Sequence, residues 1–187
     1  MANGTLKVSN IQTSSGSGTI TLGQSGETVD FSNGTMTLNS SMKNTPAFSA
    51  YAGSDQSGLT DDTYTKLAMN TEFYDTDSKY DTSNYRFTPG IAGKYNFGAC
   101  VYIDASTTFT SVNLALYKNG SQLFYVSEQV DSMNASTINA TIELDSDDYV
   151  ELYAKADVNS SGTWNLNQDG TTANNRCFWF GYKLIGA

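Results

Sequence analysis

Apolar and polar positions alternate with a period of two along much of the chain, most strictly between Tyr95 and Ile103. Tyr95, Phe97, Ala99, Val101 and Ile103 fall on one face of a strand, and Asn96, Gly98, Cys100 and Tyr102 on the other. That is the pattern of a half-buried strand. Thr88-Pro89-Gly90 and Ala92-Gly93 put turn-forming residues just before it, with Phe87 as an apolar anchor on the far side. The stretch from Tyr85 to Asp104 therefore reads as a central hairpin. Further strands are expected over residues 45–52, 64–74, 112–118, 122–130, 138–144, 149–156 and 176–185. Asn119-Gly120 is the strongest two-residue hairpin signal in the chain. The polar pieces GSDQSGLTDD, DTDSKYDTSN and residues 159–175 read as loops, and no stretch has convincing helical periodicity. From residue 45 onward the pattern predicts an all-β sandwich.

Residues 3–42 follow a different rhythm. A unit of Thr, apolar, any, apolar, small or polar recurs four times, presenting the pairs Leu6/Val8, Ile20/Leu22, Val29/Phe31 and Met36/Leu38. SSGSG, QSG and SNG separate the units. Burying two such side chains yields about 3–6 kcal/mol, whereas ordering five to seven residues costs at least ~1 kcal/mol each. The pairs must be covered by something equally repetitive, and another copy of the same chain is the simplest source. Residues 1–44 are thus expected to form a short-stranded, intertwined β stalk of three chains that trimerises the protein and attaches it. The alternative is a Gly/Ser-rich flexible linker, which has no use for regular apolar pairs.

Composition narrows the partners. Of 187 residues, 10 are Lys or Arg and 19 are Asp or Glu, a net charge of −9, and His is absent. A negative chain repels phosphate, so neither nucleic acid nor insertion into an anionic membrane is expected. The first residues, MANGTLKVSN, contain no basic-then-apolar leader, so no signal peptide is expected. An outside-type composition without a leader suits a protein that leaves the cell within a particle. Cys100 and Cys177 are expected to be packed thiols rather than a metal site or a disulfide framework.

The stretch FTPGIAGKYNFGACVY resembles the core motif of the complement one-q globular head, F-x5-G-x-Y-x-F, with Phe87, Gly93, Tyr95 and Phe97 at the motif positions. TPAFSA at residues 45–50, LYKNG at 116–120, LDSDDYVELYA at 144–154 and the final FGYKLIG are similar to further family segments, in the family's order. Asp147 stands where the family has Gly, Tyr182 where it has Phe and Lys183 where it has Leu. The resemblance covers residues 45–187 and implies the ten-strand jelly roll shared with tumour necrosis factor, assembled as a homotrimer. No collagen-like stalk precedes the head, so complement function does not follow. The Thr/Ser/Gly repeats instead look like fibre segments of tailed-phage proteins. Together these imply a homotrimeric virion fibre at the particle surface, joined to other virion proteins through its N-terminus and contacting a host-surface glycan or receptor. A capsid decoration trimer without a receptor, and a secreted lectin or adhesin, are the alternatives.

Enzymatic candidates are few. The absence of His excludes His-dependent triads and His-metal sites. Asp61/Asp62, Asp75/Asp77/Asp81 and Asp145/Asp147/Asp148 are the available carboxylate groups, each beside turn residues where Asp commonly serves. No catalytic residue or cofactor is expected. Asp75, Asp77 and Asp81 leave Ca²⁺ open as a ligand, since carboxylate oxygens suit it. Trp164, within the polar stretch SSGTWNLNQDG, is expected to be an exposed ligand-binding platform rather than core.

Overall fold

A computed structural model describes Ile11, Thr19, Thr21 and residues 25–32, 34–39, 42–105, 107–129, 134–159, 162–168 and 175–186. The chain divides into two compact units, Met1–Thr37 and Leu38–Ala187. In the first unit, Leu6, Val8, Ile20 and Leu22 lie outside the described residues. Val29, Phe31 and Met36 are 42–48% exposed, and residues 27–31 and 35–39 form no strand within the single chain.

The second unit is all β, with thirteen strands among the described residues. β1 (Ala47–Tyr51), β4 (Thr71–Asp75), β7 (Gly93–Ala105), β10 (Asn134–Leu144) and β13 (Phe178–Lys183) form the frame of one sheet, in the order β4-β1-β13-β7-β10. β5 (Tyr80–Asp81), β6 (Arg86–Phe87), β8 (Phe109–Lys118), β9 (Ser121–Glu128) and β11 (Val150–Val158) form the other, ordered β5-β6-β11-β8-β9. Those ten strands are the jelly-roll frame. β2 (Gln56–Thr60) and β12 (Thr163–Leu166) extend the first sheet, and β3 (Thr65–Lys66) pairs with β11 in the second. All the pairings between strands are antiparallel.

β7 carries the alternation expected of it. Tyr95, Phe97, Ala99, Val101 and Ile103 are all buried, facing Val112, Leu114, Leu116, Val150 and Leu152 of the second sheet across one core. Aromatic rings fill one end of that core. Phe48 stacks on Tyr80 and Phe87 at centroid distances of 4.7 and 4.8 Å and meets Trp179 edge-on at 4.7 Å. Such ring pairs add about 0.5–1.5 kcal/mol each beyond the area they bury. Gly181 makes the packing feasible, because a Cβ there would lie 2.6 Å from the Phe97 ring and 2.8 Å from Phe48. The polar tips are satisfied inside: the Tyr80 hydroxyl donates to Met69 O at 2.7 Å, and Trp179 Nε1–H donates to that hydroxyl at 3.2 Å.

Three local expectations need correcting. Phe87 and β7 do not make a hairpin, because Phe87 pairs in the second sheet and β7 in the first. Residues 88–92 form a corner between layers, held by Gly90 N–H to Ser146 O at 2.9 Å and by the Tyr95 hydroxyl to Ile91 O at 2.7 Å. Residues 64–74 are not one strand: Thr65–Lys66 belongs to the second sheet and Thr71–Asp75 to the first, with buried Leu67 and Met69 carrying the chain across. Phe73, grouped with them by periodicity, is 49% exposed. The stretches read as loops are not wholly so, since β2 lies within GSDQSGLTDD, β5 within DTDSKYDTSN and β12 within residues 159–175, their short alternations hidden among turn-forming residues.

The Asn119-Gly120 turn is as expected, with φ of 51° and 77°. It is also anchored to the β10–β11 connection. Asn119 Nδ2 donates to Asp148 Oδ1 at 2.6 Å, and Tyr149 N–H donates to Asn119 Oδ1 at 2.9 Å. Lys118 Nζ lies 2.7 Å from Asp148 Oδ2, which also accepts Asp145 N–H at 2.7 Å. These contacts hold the Asp148 carboxyl at about 2, with the Lys118 ammonium as the largest cause.

Candidate functional site

The two outward faces of the sandwich differ in chemistry. On the first sheet, register aligns three rows across β1, β13, β7 and β10: Tyr51–Phe178–Cys100–Thr137, Ser49–Phe180–Gly98–Asn139 and Ala47–Tyr182–Asn96–Thr141. None of these residues is charged. Phe178, Phe180 and Tyr182 form an aromatic column down β13, with the Phe180 and Tyr182 rings nearly parallel at 6.4 Å. The Phe180 ring closes over Gly98, where a Cβ would sit 2.5 Å from its Cζ. Beside it is a depression of about 270 Å³ lined by Cys100, Ile138, Asn139 and Phe178. Tyr51 extends the aromatic surface to Phe73 at 4.4 Å.

The outer face of the second sheet alternates instead. Its rows across β11, β8 and β9 are Lys155–Asn113–Ser127, Tyr153–Ala115–Tyr125 and Glu151–Tyr117–Gln122. Tyr117 stacks on Tyr153 at 4.0 Å, and Tyr64 meets Tyr117 edge-on at 6.0 Å. Ala115 beneath them is fully covered. Each lysine there has a carboxylate: Lys66 Nζ lies 2.9 Å from Glu151 Oε1, and Lys155 Nζ 2.6 Å from Asp62 Oδ1. Burial pushes the Tyr153 hydroxyl up to about 12 and raises that of Tyr117, so both remain neutral at physiological pH. At its open edge, β9 exposes Leu123, Phe124 and Tyr125 by 44%, 43% and 58%.

The residues singled out from the sequence do not converge on one site. Trp164 corrects the expectation made for it: it is fully buried in β12, opposite Leu59 and Ala105, with Nε1–H donating to Thr60 O at 2.9 Å. The polar loop around it hides a four-residue alternation, Thr163 and Asn165 outward, Trp164 and Leu166 inward. Asp75 and Asp81 shape turns. Asp75 Oδ2 accepts Tyr80 N–H at 2.8 Å, and Asp81 accepts Ser83 N–H at 2.9 Å and Asn84 Nδ2–H at 2.7 Å. Asp77 is exposed beside them, its N–H reaching Asp75 Oδ1 at 3.4 Å. Among the described residues, no three His, Cys, Asp or Glu side chains gather closely enough to hold a metal ion. Phe87, Tyr95 and Phe97 of the family motif lie in the aromatic core. Gly93, at φ 156°, leaves room for the Lys183 side chain, whose Cε would lie 3.0 Å from a Cβ. Among the described residues, no helix is long and apolar enough to cross a membrane.

No family model matches the chain. The phage-like element PBSX protein XkdV of Bacillus subtilis (strain 168) is 29% identical over 98 residues, 47% of this chain. Those residues amount to 14% of that protein's length. Among solved structures, murine APRIL at pH 5.0 superimposes with a TM-score of 0.54 at 12% identity, covering 74% of this chain and 98% of that one. Eiger, a tumour necrosis factor of S. frugiperda, gives 0.51 at 12% identity, over 75% and 93%. The fold is therefore the tumour necrosis factor-type jelly roll.

Proposed function

We propose that the protein is a non-enzymatic, homotrimeric structural protein of a virion, a tail or head fibre whose jelly-roll head contacts the host surface. The observation that carries this reading is the uncharged aromatic face of the first sheet. An interface core is depleted in charge and enriched in Tyr and Phe, and a monomer has little reason to leave three aromatic rings half-buried in a column on an outer face. A different surface, the apolar edge of β9 with Leu123 and Phe124, is available to cover it on a neighbouring copy. Contacts between unlike surfaces close into a ring when the rotation allows, and three copies make the smallest ring beyond a dimer. The jelly-roll fold fits this arrangement. The likeness to a phage-like element protein supports the virion setting. Val29, Phe31 and Met36 are then covered by neighbouring copies in the stalk, which attaches to the particle.

Native mass spectrometry tests the assembly. Three 20.2 kDa chains are expected in one species, and Phe180→Asp is expected to dissociate the heads. A well-folded single copy of the unaltered chain would overturn the assembly. Immunogold labelling tests the setting, with label on tail or head fibres expected. Saturable adsorption of the purified protein to host cells separates a receptor-binding fibre from a decoration trimer, which would show none.

A further inference from the structure

The outer face of the second sheet has features that the assembly does not use. Tyr117 of β8 and Tyr153 of β11 stack on one another above the small, covered Ala115, and Tyr64, just before β3, meets Tyr117 edge-on, forming a half-exposed aromatic cluster. Tyrosine gives large contact area at low entropic cost, with a hydroxyl that can donate and accept. Those hydroxyls are weakly engaged. Tyr117 to Gln122 Oε1, Tyr153 to Glu151 Oε2 and Asn113 Nδ2 to the Tyr64 hydroxyl all lie at 3.4 Å. Hydroxyl hydrogen bonds are ordinarily near ~2.7–2.8 Å. By contrast, Ser127 Oγ–H to Asn113 Oδ1 is tight at 2.7 Å, so the rim is positioned while the tips keep capacity.

Lys66 and Lys155 each have a carboxylate partner, and Asp157 adds a further negative charge on the same face of β11, so the surface offers an anion no net attraction. The whole chain, at −9, repels polyanions. The exposed Tyr125 ring, the half-exposed cluster beside it and the spare hydroxyl and amide groups are together complementary to a chain of uncharged sugars.

We propose that the outer face of the second sheet, centred on Tyr64, Tyr117 and Tyr153 with Tyr125 at its rim, binds a neutral polysaccharide. This rests on the reading of the head as the host-contacting part of a fibre. A pyranose face lies on the exposed Tyr125 ring and against the edges of the stacked pair, and its hydroxyls take over the long Tyr and Gln122 contacts. Three such faces per trimer raise the avidity for a repeating polymer.

The test uses the full-length chain, arrayed neutral polysaccharides (laminarin, dextran, mannan) with hyaluronate as the anionic control, and calorimetry with short oligosaccharides of any that bind. Binding to a neutral polymer, unchanged by added salt, is expected. Tyr117→Ala and Tyr153→Ala should each weaken oligosaccharide affinity by about tenfold or more, and Tyr117→Phe by less. Tyr125→Ala, whose ring is 58% exposed, is a variant whose folding is not in question and should also weaken binding. Phe180→Asp should leave affinity per head unchanged while breaking the assembly. Binding by no neutral polymer, preference for hyaluronate, or full affinity in Tyr117→Ala and Tyr125→Ala would overturn the proposal. Saturable adsorption to cells alongside such a result would leave the fibre reading standing.

Discussion

Asp148 joins two connections that lie far apart in sequence, and its removal should be legible in the pH dependence of stability. Its carboxylate accepts from Lys118, Asn119 Nδ2 and Asp145 N–H at 2.6–2.7 Å and is 8% exposed. The folded value of about 2 lies below the ordinary 3.8. At about 1.4 kcal/mol per unit that gap corresponds to about 2.5 kcal/mol. Lys118 is 30% exposed, and solvent screening brings the net contribution nearer to about 1–2 kcal/mol. A depressed acid stabilises the fold fully above its unfolded value, so the contribution is present above pH 4 and lost as pH falls toward 2. Asp148→Ala should cost about 2 kcal/mol at pH 7, since it also strands Asn119 Nδ2 and Asp145 N–H, lowering the melting temperature by about 5 °C. Thermal unfolding of both proteins, at one fixed concentration because assembly shifts the midpoint, should show the difference shrinking by about 1–2 kcal/mol between pH 5 and pH 2. Asp81 is also depressed, chiefly by Asn84, and contributes equally to both proteins. A difference that stays constant across that range would refute the electrostatic account.

Trp164→Ala should destabilise the head by about 3–5 kcal/mol while leaving glycan affinity per folded head unchanged, measured by denaturation and calorimetry on the same preparation. Gly181→Ala forces the Phe97 and Phe48 rings apart and should cost about 1–3 kcal/mol or more, read as a lowered urea midpoint. Burial pushes the Cys177 thiol up to about 11, and its Sγ lies 3.2 Å from Asn167 O. Native protein at pH 8 should therefore label at Cys177 far more slowly than urea-unfolded protein, and rapid native labelling by mass spectrometry would contradict the burial.

The strand β7 and the Asn119-Gly120 turn are local, a period of two in one case and a dipeptide's φ preference in the other, and both are legible in the linear pattern. The aromatic motif Phe87, Tyr95, Phe97 is equally visible, although the layer change at residues 88–92 is not. Pro and Gly mark a turn without saying whether it joins neighbours in a sheet or crosses between sheets. Trp164 was obscured because four alternating residues among Asn, Gly and Ser are too short a signal to outweigh their surroundings. The two outer faces depend on register. Tyr117 and Tyr153 are 36 positions apart, and only the pairing of β8 with β11 makes them neighbours.

β13 lies between β1 and β7, so β1 and β4, near the start of the head, reach the rest of their sheet only through a strand from its far end. Without residues 178–183, β1 and β4 have no connection to β7 and the sheet is split in two. The first sheet therefore depends on a pairing of high sequence separation, which is slow to form.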